Sequence, residues 1–370
     1  RGGFWPRQFQ KRRLPRHGQF ADSDGAKPIL KRTKDVGEHM KAAFIRQTGT
    51  PDVIQYGDIE TPSVSGSEVL VKVNAVSLNP IDTYIRNGAN YWELPSPFVP
   101  GCDVAGVVEA IGPNVTRFQV GDRVWGSNQG LLGRQGTFAE YCSIDQDWLY
   151  LSPNEVSDEA LAACALVGIT AHLGLCQNAR IQRGETLFVN GGSGGVGSMV
   201  IQMAKAMGAE VVATAGSDEK VERCLELGAD LAINYRTSSP TDTLLKEKPA
   251  GCQVYWETVR EPDFDAIVEK LSDRGRVVLM AGRDARPPFP VGPFYVKGCS
   301  IHGFVMFKAT ADEQRKSAED IASWLRQGLL QPNISHRFPL SEAAAAHQLQ
   351  EENTLHLKGN LAGKIVLTPI

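Results

Sequence analysis

The sequence predicts an α/β protein built from a β-rich unit and a doubly wound parallel sheet. Three observations predict it: short β-rich runs cut by Gly/Pro turns from residue 40 to about 163, apolar strands alternating with helical periods from about 164 to 307, and a return to a final strand after 308. At roughly 150 residues per domain, 370 residues make two domains, each able to bury its own core. The expected division joins 40–163 to 308–370 in one domain and leaves 164–307 as the other.

Residues 1–39 are rich in Arg, Gly and Pro and follow neither a helical nor a strand period, so they are expected to form a disordered or non-native tail, with the folded unit opening at Met40. Residues 1–21 are Arg-rich and acid-free, as in a transit peptide, but they lack Ser and an amphipathic period, which favours translated upstream sequence. The β-rich unit reads as KAAFIRQ after Met40, then EVLVKVNAVSL (68–78), DVAGVVEAIG (103–112), DRVWG (122–126) and FAEYCSI (138–144). Helix follows over 155–180. Strands TLFVNG (186–191), EVVATAG (210–216), LAINY (231–235), VYWETV (254–259), RVVLMAG (276–282) and SIHGFVMF (300–307) then alternate with helical periods at 196–207, 218–227, 241–247 and 262–273, the order of a parallel sheet with helices on both faces. A helix at 310–327, a second at 341–352 and the strand GKIVLTP return the chain to the β unit.

Composition excludes several classes. With 42% hydrophobic and 22% charged residues, the chain is neither disordered nor collagenous nor coiled coil. The stretch LAACALVGITAHLGL (161–175) is broken by Gly, Thr and His and falls short of the ~18 residues a membrane span needs, so it reads as buried helix and no membrane span is expected. The net charge of -3 divides into +6 on residues 1–39 and -9 on the rest, a balance without the basic face that nucleic-acid binding requires. Seven Cys with no C-x-x-C pair argue for reduced thiols and a cytoplasmic location.

The strongest motif is NGGSGGVG at 190–197. Gly192, Gly194 and Gly197 form G-x-G-x-x-G directly after an apolar strand and before a helix, with Ser193, Gly195 and Val196 between them. The first Gly allows a tight turn, the second lets a pyrophosphate approach the backbone, the third lets helix and strand pack, and the helix N-terminus faces the phosphates. An NAD site places an acid at the end of the second strand, yet that strand ends Thr214, Ala215, Gly216, Ser217. Ser217 as a donor, Lys220 one turn on, and Tyr235 and Arg236 at the next strand end favour a 2′-phosphate and hence NADPH, although Asp218 opposes this and Lys220 also reads as a solvated helix charge.

The chain from Met40 onward resembles the zinc-independent quinone oxidoreductases, ζ-crystallin-like, of the medium-chain dehydrogenase/reductase superfamily. The resemblance is carried by SLNPIDTYIRNG (77–88), PGCDVAGVVEAIGPNVTRFQVGDRVWG (100–126), GTFAEY (136–141), VGITAH (167–172), NGGSGGVG, GSDEKVERCLELGAD (216–230), INYR (233–236) and GKIVL (363–367). It implies a GroES-like β domain around a Rossmann domain, the active site in the cleft between them, and a homodimer formed through SIHGFVMF. Zinc-dependent relatives hold a metal where this chain has Asn79, Cys102, Asp103 and, nearby, Cys164. Without the first thiolate and the His the tetrahedral set is not assembled, so no metal is expected and Cys102 reads as a small buried residue.

The resemblance offers Asn79 and Tyr84 at the nicotinamide and the acceptor, where a Tyr hydroxyl can donate to a developing oxyanion. A turn residue before Pro80 and a packing aromatic are the plain alternatives. Thr170 looks like a contact to the nicotinamide carboxamide or ribose, and Asn360 like a cofactor-contacting Asn displaced by one residue. Thr258, Gly282, Phe304 and Val305 lie near later strand ends, where ligands bind in open α/β sheets. His172, His302 and His347 pair with no nucleophile, so a hydrolase is not expected. The expected activity is NADPH-dependent reduction of quinones or related conjugated carbonyls. The alternatives are an alkenal or enoyl-thioester reductase, or an NADPH-binding protein of ζ-crystallin type with little turnover.

Overall fold

A computed structural model describes residues 36–89, 92–356 and 358–369. All but the last few residues of the tail expected over 1–39 fall outside them. In chain order the β-rich part comprises β1 (His39–Phe44), β2 (Gln55–Glu60), β3 (Glu68–Leu78), α1 (Pro80–Arg86), β4 (Asp103–Ile111), β5 (Arg123–Gly126), β6 (Tyr141–Asp145) and β7 (Leu149–Leu151). After α2 (Asp158–His172) come β8 (Thr186–Asn190), α3 (Gly195–Ala206), β9 (Glu210–Ala215), α4 (Asp218–Glu226), β10 (Leu231–Asn234), α5 (Pro240–Glu247), β11 (Cys252–Glu257), α6 (Phe264–Lys270), β12 (Leu271–Leu279), α7 (Val291–Val296) and β13 (Ser300–Gly303). The chain closes with α8 (Ala311–Arg326), β14 (Ile334–Pro339), α9 (Ala343–Thr354) and β15 (Lys364–Thr368).

β15 pairs antiparallel with β3 inside a sheet of order β14-β15-β3-β4-β5-β7, with β6 also on β3, so the chain's last strand does complete the first sheet. β3 shows why this sheet faces a second layer at one end. Lys72 and Asn74 are exposed between Val71, Val73 and Ala75, whereas beyond Ala75 every side chain to Leu78 is buried on both faces. That end delivers Asn79 and α1 into the interior.

The second sheet has order β10-β9-β8-β11-β12-β13, with every pairing parallel. Strand order reverses between β8 and β11, which opens a crevice at their carboxyl ends, the usual ligand position in a doubly wound sheet. α2 is buried along most of its length and runs on as a π-helical segment, Leu173–Ala179. By length and composition Asp158–Ala179 would suffice to cross a membrane, but 78% of its apolar window is packed inside the fold, which makes it a core helix. Ala318, Ile321 and Leu325 of α8 join the core that α2 and α3 share.

Two expectations need local correction. The strand expected over 300–307 stops at Gly303, because the chain turns into a 3-10 segment at Met306–Lys308. The helix expected over 262–273 ends at Lys270, where β12 takes over.

Candidate active site

The glycine-rich turn joins β8 to α3. Gly194 is the N-cap of α3 and no side chain caps it, so the first-turn N–H groups point outward from a helix N-terminus, a natural seat for phosphate. The conformational demand falls one residue earlier than the motif suggests: Gly191 has φ +87°, and a Cβ there would sit 2.3 Å from Thr258 Oγ1. Gly192 has ordinary φ and instead packs closely against Ala213 and Ile201. At Gly197 a Cβ would lie 2.2 Å from the Gly191 carbonyl oxygen, so only glycine lets α3 press onto its own turn. Gly194 is exposed with nothing nearer than 3.6 Å, and Ser193, Gly195 and Val196 are half-buried around it.

A hydrogen-bonded chain across the crevice fixes this turn. Glu257, buried at the end of β11, accepts from Asn190 Nδ2 at 2.9 and 3.1 Å. Asn190 Oδ1 accepts from Thr214 Oγ1 at 2.8 Å, and that hydroxyl accepts the Gly191 N–H at 3.0 Å. Thr258 Oγ1 donates to the Asn190 carbonyl at 2.5 Å. Burial, opposed by the Val259 and Asn190 donors, pushes the Glu257 carboxyl up to about 7. Asn190, Thr214 and Glu257 were not legible as site residues, since each reads as a strand terminus; the available signal was a polar side chain ending an otherwise apolar strand.

At the β9 end, the Ser217 hydroxyl caps α4 by accepting the Lys220 N–H at 3.4 Å. Lys220 Nζ donates to the Gly359 and Leu361 carbonyls at 2.8 and 3.2 Å, so its charge is tied to the C-terminal loop; burial leads the lowering of its pKa and Arg236 adds to it. Tyr235 is half exposed and lies over Gly216, where a Cβ would come within 2.4 Å of its hydroxyl. Asn360 is held to Glu352 at 3.3 Å on the exposed loop that Lys220 grips.

Asn79 sits in a sealed polar cluster. Its backbone N–H donates to Asp82 at 2.8 Å, its Nδ2 donates to Asp103 at 2.8 Å, and its Oδ1 accepts from Lys364 Nζ. Lys364 also donates to the Leu78 carbonyl at 2.9 Å and lies 4.0 Å from the Asp103 carboxylate, which accepts further from Ser127 and the Leu166 N–H. Cys102 is fully buried and donates to Asp82 at 2.9 Å; burial drives its thiol upward and the Asp82 carboxyl up to about 7. Burial pushes Lys364 down and Asp103 up, each held back by the other. The Asn79 amide stands where the resemblance puts a thiolate, and the buried Cys102 thiol, bonded to Asp82, where it puts an imidazole, so the usual zinc ligands are not both present here. Among the described residues, no group of three or more His, Cys, Asp or Glu side chains is arranged to hold a metal ion.

Tyr84, on α1, is half-buried, with the Arg260 guanidinium 5.7 Å from its ring centre. Burial raises its pKa, with Arg260 and Arg283 opposing. Thr170 is 5% exposed within α2. Gly282, at φ +80°, brings its backbone against that of Arg260. Phe304 packs edge-on against Trp256, and Val305 beside it is partly exposed. The histidines stand apart: His172 binds Asp320, His302 lies beside Ser300, and His347 is fully buried against Phe138, where burial lowers its pKa to about 3.

Comparison with known proteins agrees with this architecture. The alcohol dehydrogenase GroES-like domain matches residues 65–154, and the family described as zinc-binding dehydrogenase matches 195–323. Quinone oxidoreductase from Sus scrofa is 33% identical over 332 residues, covering 89% of this chain and 97% of its own. NADPH-dependent alkenal/one oxidoreductase of Arabidopsis thaliana chloroplasts is 32% identical over 361 residues, covering 95% and 85%. Among solved structures, a Pseudomonas syringae quinone oxidoreductase superposes with a TM-score of 0.78 at 29% identity, covering 89% of this chain and all of that one. A mycobacterial protein solved in complex with NADPH also gives 0.78, at 30% identity and the same coverage. With a glycine-rich turn at the switch point of one sheet and similarity to such enzymes over 89% of its length, the chain belongs to the ζ-crystallin-like quinone oxidoreductase family of the medium-chain dehydrogenase/reductase superfamily and is an oxidoreductase.

Proposed function

We propose that the chain is an NADPH-dependent reductase of quinones or related conjugated carbonyls that works by direct hydride transfer without zinc. The observation that carries the reading is the uncapped α3 N-terminus behind Gly191–Gly197, with Tyr84 on the opposing sheet's helix. NADPH, when bound, supplies the hydride. The turn residues Gly192, Ser193, Gly194, Gly195, Val196 and Gly197 would take the pyrophosphate, and Ser217, Lys220 and Tyr235 the 2′-phosphate end. Thr170, Thr258, Gly282, Phe304 and Val305 would line the nicotinamide side, with Asn360 steadying the loop above Lys220. Asn79 fits a positioning role, since both ends of its amide are already bonded to Lys364 and Asp103.

Tyr84 is the proton donor in this reading. Its raised pKa keeps the hydroxyl protonated at neutral pH, so it can donate to the oxygen on which negative charge develops. The test is Tyr84→Phe, which keeps the ring. The expected result is a kcat lower by about 10–100-fold with little change in the KM for NADPH, an effect in the usual range for losing one positioned proton donor. An unchanged kcat would remove Tyr84 from the chemistry.

The similarity to an enzyme named for alkenals favours a second acceptor class, the α,β-unsaturated carbonyls, on the same site. A homodimer through β13 is supported by Val291, Tyr295, Val296 and Ile301, apolar side chains exposed along α7 and that strand. Seven cysteines without a disulfide support a cytoplasmic location.

A further inference from the structure

We infer that the acceptor carries an anionic group, read by Arg260 and Arg283. This rests on the reduction of a conjugated carbonyl at this cleft and narrows it to a substrate class.

Arg260 follows the end of β11 and Arg283 the end of β12, on the crevice side of the sheet. Sheet order makes their place informative. The 2′-phosphate end of the cofactor belongs to the β8-β9-β10 half, whereas these arginines belong to the β11-β12-β13 half, so the charge of the dinucleotide does not account for them. Both reach across to the segment that bears Tyr84: the Arg260 guanidinium lies 5.7 Å from the Tyr84 ring centre, and Arg283 Nη1 donates to the Ala89 carbonyl at 2.5 Å. They are held as a pair, because a Cβ on Gly282 would come within 2.5 Å of the Arg260 carbonyl oxygen, so the two loops touch backbone to backbone. Among the described residues no carboxylate forms an ion pair with Arg260, while Arg283 lies 3.5 Å from the largely exposed carboxylate of its neighbour Asp284. Burial raises the Tyr84 pKa, and the charges of both arginines oppose that rise. A cleft with two guanidinium groups beside the proton donor selects a carboxylate, sulfonate or phosphate next to the reducible carbonyl, since forked N–H donors match planar and tetrahedral oxyanions.

The experiment compares kcat/KM for 1,2-naphthoquinone-4-sulfonate and 1,2-naphthoquinone, with NADPH, in wild type, Arg260→Met and Arg260→Met/Arg283→Met. The change in the ratio between proteins cancels the two quinones' different reactivity. The expected result is a drop in the sulfonate-to-neutral ratio of about tenfold in the double variant and part of it in the single, and a similar drop in wild type when ionic strength rises from low to about 0.5 M. An equal loss on both quinones would overturn the inference, because the arginines would then serve only the charge that develops on the carbonyl oxygen. Naphthalene-2-carboxylate, naphthalene-2-sulfonate and 2-naphthyl phosphate as competitive inhibitors distinguish the kind of anion, with naphthalene as the neutral reference. Failure of both quinones to turn over would remove quinones from the acceptor class, while tryptophan fluorescence titration of the NADPH-loaded protein with the same inhibitors still decides the anion site. Preference for all three anions over naphthalene that is lost in the double variant supports it, and no preference defeats it.

Discussion

Lys364 shows how a single residue escapes sequence reading. A lysine opening an apolar strand looks like a solvated end, yet it is 5% exposed and donates into the Asn79 and Leu78 oxygens. Asn79, Cys102 and Asp103 were visible as a set because the family resemblance marks them; their partner was not, because it is 261 residues beyond Asp103 in sequence. The cluster also makes a pH prediction. Asp82 keeps its proton up to about pH 7 in the folded chain, mainly because it is buried, but releases it near 3.8 when unfolded. Between those values the folded state holds the extra proton, so stability falls as pH rises from about 4 to 7 and levels above it. In Asp82→Asn the melting temperature should decline less between pH 5 and 7 than in wild type, by scanning fluorimetry; a wild-type slope retained in the variant would place the titration elsewhere.

At the scale of elements, the β8-turn-α3 unit was almost fully legible: strand and helix fall within a residue or two of their expected bounds. What sequence misplaced was which glycine carries the strain, Gly191 in place of Gly192, because a run of glycines offers several registers for one turn. The partner strands' contribution, through Glu257 and Thr214 bonded to Asn190, depends on strand order and so could not be read locally. Substituting Gly197→Ala forces a methyl against the Gly191 carbonyl, and α3 must lift from its turn. NADPH affinity should fall by at least about tenfold in isothermal titration, while the far-ultraviolet circular dichroism spectrum keeps its shape. Unaltered affinity would separate this turn from the cofactor.

For the whole molecule, alternation of short strands and then of strands with helices was enough to predict the two large sheets, one of them closed by β15; β1 and β2 pair in a separate two-stranded sheet. The extent of the shared core was not: α8 lies in sequence with the returning β segment, but its apolar face packs with α2 and α3, an outcome set by tertiary packing. Assembly belongs to this scale too. Sedimentation equilibrium should give a mass of two chains, and Val296→Asp/Ile301→Asp should give one, by placing carboxylates on the exposed apolar edge; a wild-type mass of one chain would contradict the β13 dimer.

NADPH-dependent reduction of a conjugated carbonyl is tested by the initial rate of NADPH and of NADH oxidation with an ortho-quinone, a para-quinone, an alkenal and an enoyl thioester. The expected result is turnover of at least one quinone or alkenal, with NADPH preferred over NADH. NADPH binding with no oxidation by any of the four acceptors would contradict it and leave a dinucleotide-binding protein in place of the reductase.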